Sequence, residues 1–305
     1  MSLRPAIDPV SSTAVSPVAA VIDARPRHVG GFALRRLLPS RARRSVGPFV
    51  FLDHFGPVKI APGDGMDVPP HPHIGLATVT YLLDGEIVHR DSLGHHQPIQ
   101  PGEINWMTAG RGIVHSERTS EELRRTGSSL HGLQLWVALP KANEEMEPAF
   151  EHYAANTLPE TEEEGARIRV LVGKAYGTES RVQTLSPTFL IDVMLQPNCE
   201  LRIPDSYEER AAYVIDGTIS TSDEHAESGR MLVFAAGTQM AVRAESMVRL
   251  VLLGGGALDG PRHIWWNFVS SSEERIEQAK QDWKEKRFAR IPGDDTEFAP
   301  LPDHS

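Results

Sequence analysis

Two halves of this chain rhyme. Tyr81-Leu82-Leu83-Asp84-Gly85 is answered by Tyr213-Val214-Ile215-Asp216-Gly217. Gly102 and Gly110, the second closing Trp106-Met107-Thr108-Ala109-Gly110, are answered at the same separation by Gly229 and Gly237, the second closing Phe234-Ala235-Ala236-Gly237. Each match is short, but they recur in one order, the mark of a duplicated unit. The text around them is strand-like. Short β-rich runs cover 75–83, 86–89, 103–108 and 132–139, then 168–172, 188–195, 211–215, 231–234 and 247–253, broken by Gly, Pro and Asp. Asp84-Gly85 reads as a hairpin turn. Many short strands at even spacing favour a barrel or jelly roll, so the expected fold is all-β, in two barrel domains.

The expected boundaries are a loose tail over 1–20, a first domain over 21–140, an acidic, proline-containing linker over 141–165, a second domain over 166–290 and a tail over 291–305. One helix closes the second domain. Ser271 and Glu274 suggest a capping box, and Ile276, Ala279, Trp283 and Phe288 fall near helical spacing, a stripe expected to pack on a domain. Gly254-Gly255-Gly256 lacks the strand–loop–helix setting of a phosphate cradle and reads as a turn.

Among 305 residues the formal net charge is −10 and the signs are interspersed, so no basic stripe offers itself to nucleic acid. No apolar run approaches a membrane span, and the first residues do not read as a signal peptide. The single cysteine, Cys199, permits no disulfide within the chain and reads as a structural thiol. A cytoplasmic location is the expectation.

The chemistry concentrates in the first half. His71-Pro72-His73 and His115-Ser116-Glu117 are both i, i+2 pairs. On a strand, side chains two apart share a face, so each pair can aim two donors into one lumen. Three imidazoles and a carboxylate make a non-haem transition-metal site with positions left for water or substrate. No thiolate is offered. Fe(II) is favoured, with Mn, Ni, Cu and Zn open. Pro69, Pro70 and Pro72 confine the first pair to an edge, a strand start or a bulge. Gly110 and Gly112 permit the turn before the second.

The duplication supplies a control. At the offsets that separate His71 and His73 from Tyr81, Tyr213 is preceded by Ile203 and Asp205. At the offsets of His115 and Glu117 from Gly110, Gly237 is followed by Val242 and Ala244. The second copy keeps the scaffold without the ligands. His89, Asp91, His95 and His96 read first as a solvated loop cluster, with a role beside the ligands or in proton transfer as the rival. Glu103 reads as a turn carboxylate and Trp106 and Met107 as core. Arg111 could meet an acidic substrate or tie its turn to a carboxylate.

The run from Pro70 to Gly85, beginning Pro70-His71-Pro72-His73-Ile74-Gly75, and the run from Trp106 to Glu117 resemble the pirin family. His89-Arg90-Asp91-Ser92-Leu93-Gly94 and Leu133-Gln134-Leu135-Trp136-Val137 are similar too. The resemblance implies a bicupin with one metal ion, usually iron, in its first domain, held by residues matching His71, His73, His115 and Glu117. Gly65, with five residues between it and the first histidine pair, fits the general cupin motif. Ala77 stands where cupins carry a further glutamate, which leaves Glu117 as the evident carboxylate, and Ile74 replaces a frequent arginine at the entrance. Some pirins cleave flavonols such as quercetin by 2,3-dioxygenation, and others act as regulatory partners of proteins. The resemblance therefore implies either a dioxygenase taking O2 and a flavonol or small phenolic, with Glu117 as ligand and base, or a metal-containing regulatory protein with a protein partner.

Overall fold

A computed structural model describes residues 16–29 and 32–302. Each half is a two-sheet barrel, and the strand orders of the two correspond. The first half pairs a seven-stranded sheet with a four-stranded one of order Asp67–His73, Ile113–Arg118, Ile87–Asp91, His96–Ile99. The second repeats this with a seven-stranded sheet and a four-stranded one of order Glu200–Arg202, Ala241–Ala244, Thr218–Ser220, His225–Glu227. The seven-stranded sheets pack face to face. Their inner residues, Leu52, Val79, Tyr81 and Leu135 from one and Tyr213, Met231, Val251 and Leu253 from the other, form one continuous core. Burial of such side chains stabilises by about 1.5–3 kcal/mol each, so the barrels fold against each other and not merely side by side. Polar tips cross the seam: the Tyr81 hydroxyl donates to Asp192 at 2.7 Å, and the Tyr213 hydroxyl meets His54 Nδ1 at 2.5 Å.

The termini are exchanged between the barrels, which the expected boundaries miss. Strand begins at Val18, inside the segment expected to be a tail, and Val18–Asp23 pairs antiparallel with Arg230–Phe234 at the edge of the second barrel's sheet. Residues 1–15 of that expected tail lie outside the described residues. The linker is also strand in part. Ala149–Tyr153 closes the edge of the first large sheet against Ile104–Thr108, and Glu160–Glu163 begins the second by pairing with Ala166–Val172. Unpaired edges are a liability, and each barrel covers one with chain from outside its own repeat.

The C-terminal segment returns to the first barrel. The hairpin of His263–Trp265 and Phe268–Ser270 bridges Ile74 through Phe268. The helix Glu273–Lys284 follows, with Ile276 and Ala279 buried and Trp283 and Phe288 packed around Ile74 and Phe268. Its cap is Ser272, one residue later than expected, whose hydroxyl accepts from the Arg275 N–H at 3.2 Å. Two further expectations shift. Asp84-Gly85 is no hairpin; Gly85, at φ +86°, carries the chain from one sheet to the other, as does Gly217. Gly254 and Gly255 lie in the strand Val248–Gly255, not in a turn, and a Cβ on Gly255 would meet the Pro187 carbonyl at 2.1 Å.

Candidate metal centre

The site is built on three adjacent strands of the first barrel's small sheet. His115 pairs in register with His71 on one side and with Asp91 on the other, and Glu117 faces His89. Two residues on the Ile113–Arg118 strand, from His115 to Glu117, span three on its partner, from His71 to Val68. This bulge falls on Pro69 and Pro70, which cannot donate to a ladder. The strand that holds them is an edge, covered from outside by the Ala299 N–H, which donates to the Pro70 carbonyl at 2.9 Å.

His71, His73 and His115 are brought together, buried, with one ring nitrogen of each within 4.8 Å of the others. Loss of hydration pushes His71 down to about 4 and holds His73 and His115 well below the ordinary imidazole value, so all three are neutral at neutral pH, the form that binds metal. Their tautomers follow from their outer partners. His71 Nδ1 lies 2.9 Å from the Pro69 carbonyl and His73 Nδ1 lies 3.1 Å from that of Asn267. A carbonyl only accepts, so both Nδ1 atoms carry the proton and both Nε2 atoms are bare. His115 turns its Nδ1 to His89 at 3.4 Å, and its Nε2 lies 3.1 Å from that of His73. Bare lone pairs crowded together repel each other, and a cation between them removes the conflict. The donor set fits a divalent transition metal on chemical grounds.

Glu117 stands outside the set of three. Glu117 is half-buried, and beside its carboxyl Thr80 Oγ1 approaches Oε1 at 3.5 Å and donates to Gln134 Oε1 at 2.9 Å. Burial raises it to about 7, against the smaller opposing effect of the Thr80 contact. Thr80 and Gln134 carry no motif of their own; their alternation on paired strands, in register with each other, is the signal that could have found them. Trp136 lies edge-on to His73, with centroids 5.3 Å apart, and stacks on Phe51 at 3.9 Å, an aromatic wall beside the ligands.

His89 and Asp91 are not solvated loop residues. Both are buried on the strand Ile87–Asp91; His95 and His96 are the exposed members. Glu103 accepts from the Gln100 N–H at 2.9 Å, as a turn carboxylate does. Arg111 pairs with Glu147 at 2.7 Å, and Trp106 and Met107 are core.

The ladder register corrects the alignment of the two copies. Leu201 faces Val242 as His71 faces His115, and Ile203 bonds to Met240 where His73 faces Ile113. The positions equivalent to His71, His73, His115 and Glu117 are therefore Leu201, Ile203, Val242 and Ala244, all buried in the second barrel's core. A barrel of this architecture folds around hydrocarbon at all four places, so folding does not require the histidines.

The site is clasped by the C-terminal segment. Asp294 takes two hydrogen bonds from Arg118, at 2.7 and 2.9 Å, and one from the buried Ser116 hydroxyl at 2.7 Å. Burial raises the Asp294 carboxyl, but these donors outweigh it and hold it below the ordinary value. A depressed carboxylate stabilises the fold above its unfolded pKa of about 3.9, and that contribution is lost as pH falls through the lower folded value. Asp294→Asn should cost about 1–3 kcal/mol in urea unfolding at pH 7. The difference from wild type should shrink below about pH 4; a gap that stays constant into acid would show that the charge is not what matters.

A pirin domain model matches residues 31–137, and a pirin C-terminal cupin domain model matches residues 190–289. A pirin-like protein of Caulobacter vibrioides is 47% identical over 286 residues, covering 93% of this chain and 99% of that one. Pirin-1 of Arabidopsis thaliana is 32% identical, covering 83% of this chain and 88% of that one. A crystal structure named as quercetin 2,3-dioxygenase from Acinetobacter baumannii superposes with a TM-score of 0.84 at 35% identity, covering 94% of this chain and 96% of that one. With both cupin domains matched in order and relatives aligned along nearly the whole chain, this protein is a bicupin and belongs to the pirin family.

Proposed function

We propose that the protein is a metal-dependent dioxygenase of the quercetin 2,3-dioxygenase type, acting with O2 on a flavonol or small phenolic, with His71, His73, His115 and Glu117 around one divalent ion, Fe(II) for preference. The observation that carries this reading is the convergence of three neutral imidazoles, bare nitrogens inward, in one lumen with a carboxyl whose pKa is raised to about 7. The full-length likeness to the Acinetobacter protein supports the choice of substrate class. An ion held by these donors supplies a Lewis acid with open positions for oxygen ligands.

The protein's own groups do the rest. Trp136, backed by Phe51, offers an apolar ring beside His73 to an aromatic substrate. Glu117, poised near neutrality, takes the proton of the substrate hydroxyl, and Thr80 steadies the carboxylate that remains. Glu117→Gln should keep the metal, since the imidazoles remain, and lower O2 uptake with quercetin by about 100-fold on an oxygen electrode. Unchanged turnover with metal retained rejects the role.

One observation favours a second reading, a metal-sensing regulatory protein. The Asn267 carbonyl that holds His73 belongs to the C-terminal hairpin, which joins the ligand to the outer surface through the helix Glu273–Lys284. Metal-dependent binding of a protein partner without O2 uptake would support that reading over catalysis.

A further inference from the structure

Two of the three ligand imidazoles rest their outer nitrogens on backbone carbonyls. The third, His115, rests on another imidazole, and behind that stands a carboxylate. Asp91 is wholly buried. It accepts from His89 Nε2 at 3.0 Å, from His95 Nδ1 at 3.0 Å, and from the backbone N–H groups of Leu93 and His95 at 2.9 and 3.1 Å. Four donors around one carboxyl leave it no occasion to carry a proton, so it acts as an acceptor only. The nitrogen that His89 turns to it must therefore bring the hydrogen. The only oxygen acceptor that either ring nitrogen of His89 meets is the Asp91 carboxylate at Nε2, so the single ring proton sits there and Nδ1, which faces only another ring nitrogen, is a lone pair. That lone pair faces His115 Nδ1 at 3.4 Å, which must then be the donor. Phe150 stacks on the His89 ring, centroids 4.3 Å apart and planes 14° from parallel, and fixes its orientation.

We propose that Asp91 and His89 form a relay that sets the tautomer of His115, keeping the proton on Nδ1 and the metal-facing Nε2 bare, and that this pair controls the affinity of the centre. The role rests on the metal reading given above. His89 and Asp91 act through His115 and are positioning residues. The second barrel again serves as control: Ile219, opposite Ala244, takes the place of His89, opposite Glu117. The relay and the ligands are absent together.

The logic predicts an inversion and not merely a weakening. In Asp91→Asn the side-chain oxygen stays with the backbone donors of Leu93 and His95, and the amide N–H₂ faces His89. His89 must then accept at Nε2 and carry its proton on Nδ1. That proton points at His115, whose Nδ1 becomes the acceptor and whose Nε2 takes the proton, on the side where the ion binds.

The test uses full-length protein with ¹⁵N-labelled histidine, and Ni(II) as the probe in chelator competition. The wild-type apoprotein should show His115 protonated at Nδ1 by long-range ¹⁵N–¹H NMR. Asp91→Asn should show it protonated at Nε2 and bind Ni(II) at least about 10-fold more weakly. His89→Phe, which keeps a ring over Phe150 but has no acceptor, should also bind more weakly. His95→Ala, which leaves Asp91 its charge and its backbone donors, should bind like wild type. Folding is checked by the melting of each apoprotein; if Asp91→Asn does not fold, the wild-type tautomer and His89→Phe decide. Folded Asp91→Asn and His89→Phe proteins that bind Ni(II) as wild type does, or a wild-type His115 with its proton on Nε2, would overturn the relay. Wild type that shows the Nδ1 tautomer yet binds no Ni(II) would overturn the metal reading and the affinity role with it, while leaving the hydrogen-bond assignment intact.

Discussion

Replacing His115 by alanine should empty the centre. The substitution removes one of three converging nitrogens, and the remaining pair, His71 and His73, cannot enclose an ion. Loss of an outer partner of a metal ligand alone costs about 10–100-fold in affinity, so loss of a ligand should cost at least roughly 100-fold, and purified protein should carry no stoichiometric metal by elemental analysis. The fold should survive. His115→Val reproduces what the second barrel has at Val242, and the apoprotein should melt close to wild type or above it, because crowded polar rings at a functional site are held at the expense of stability. Metal content that stays at wild-type level in His115→Ala, with the protein folded, would show that the ion sits elsewhere.

The largest effect on stability is expected at Arg262. Its side chain is 1% exposed and its Nε lies 2.8 Å from Glu144 Oε1, itself 6% exposed. The Nε–H is not aligned as a hydrogen bond, so this contact is an ion pair; the aligned bonds include those from Nη2 to the Leu139 carbonyl at 2.8 Å and from Nη1 to the Gly260 carbonyl at 3.0 Å. Glu144 in turn accepts from the Ser270 hydroxyl and the Ser271 N–H at 3.0 Å, which fastens the C-terminal hairpin to the first barrel. Arg262→Ala leaves Glu144 charged, buried and short of its partner, a situation that costs about 3–5 kcal/mol. It also frees the hairpin whose Asn267 carbonyl holds His73. Urea unfolding should show the loss of stability, and metal competition should show weaker binding in the same variant. The Arg118–Asp294 clasp, where Arg118 is 22% exposed, is worth less because water screens it. A change at Arg262 no larger than that at Asp294 would mean that the buried pair only breaks even.

The convergence of His71, His73 and His115 was legible in the sequence because strand periodicity is local. His71-x-His73 and His115-x-Glu117 need only a period of two to share a face, and the rhyme between the halves gave the barrels. What stayed hidden is non-local. Nothing in Val18–Asp23 says that it will edge the far barrel, since any short β-prone segment suits an open edge. The connection from the strand of the first histidine pair to the next strand is two residues longer in the second copy, with Ile203 ten residues before Tyr213 where His73 is eight before Tyr81, which is why Ile203 and Asp205 were paired with the histidines in place of Leu201 and Ile203. His89 and Asp91 sit in a stretch rich in polar residues and Gly94, which reads as loop until the sheet buries it. The Pro69 and Asn267 carbonyls, which fix two tautomers, are backbone atoms and leave no mark in the sequence at all.

The most direct measurement is a crystal structure of the metal-loaded protein, with data collected on both sides of the absorption edge of the bound ion. One anomalous peak should lie among His71, His73 and His115, about 2.0–2.1 Å from each Nε2. A peak bonded to Nδ1 atoms or to a site outside the first barrel, or no peak in protein shown to carry metal in solution, would contradict the geometry from which the function is inferred.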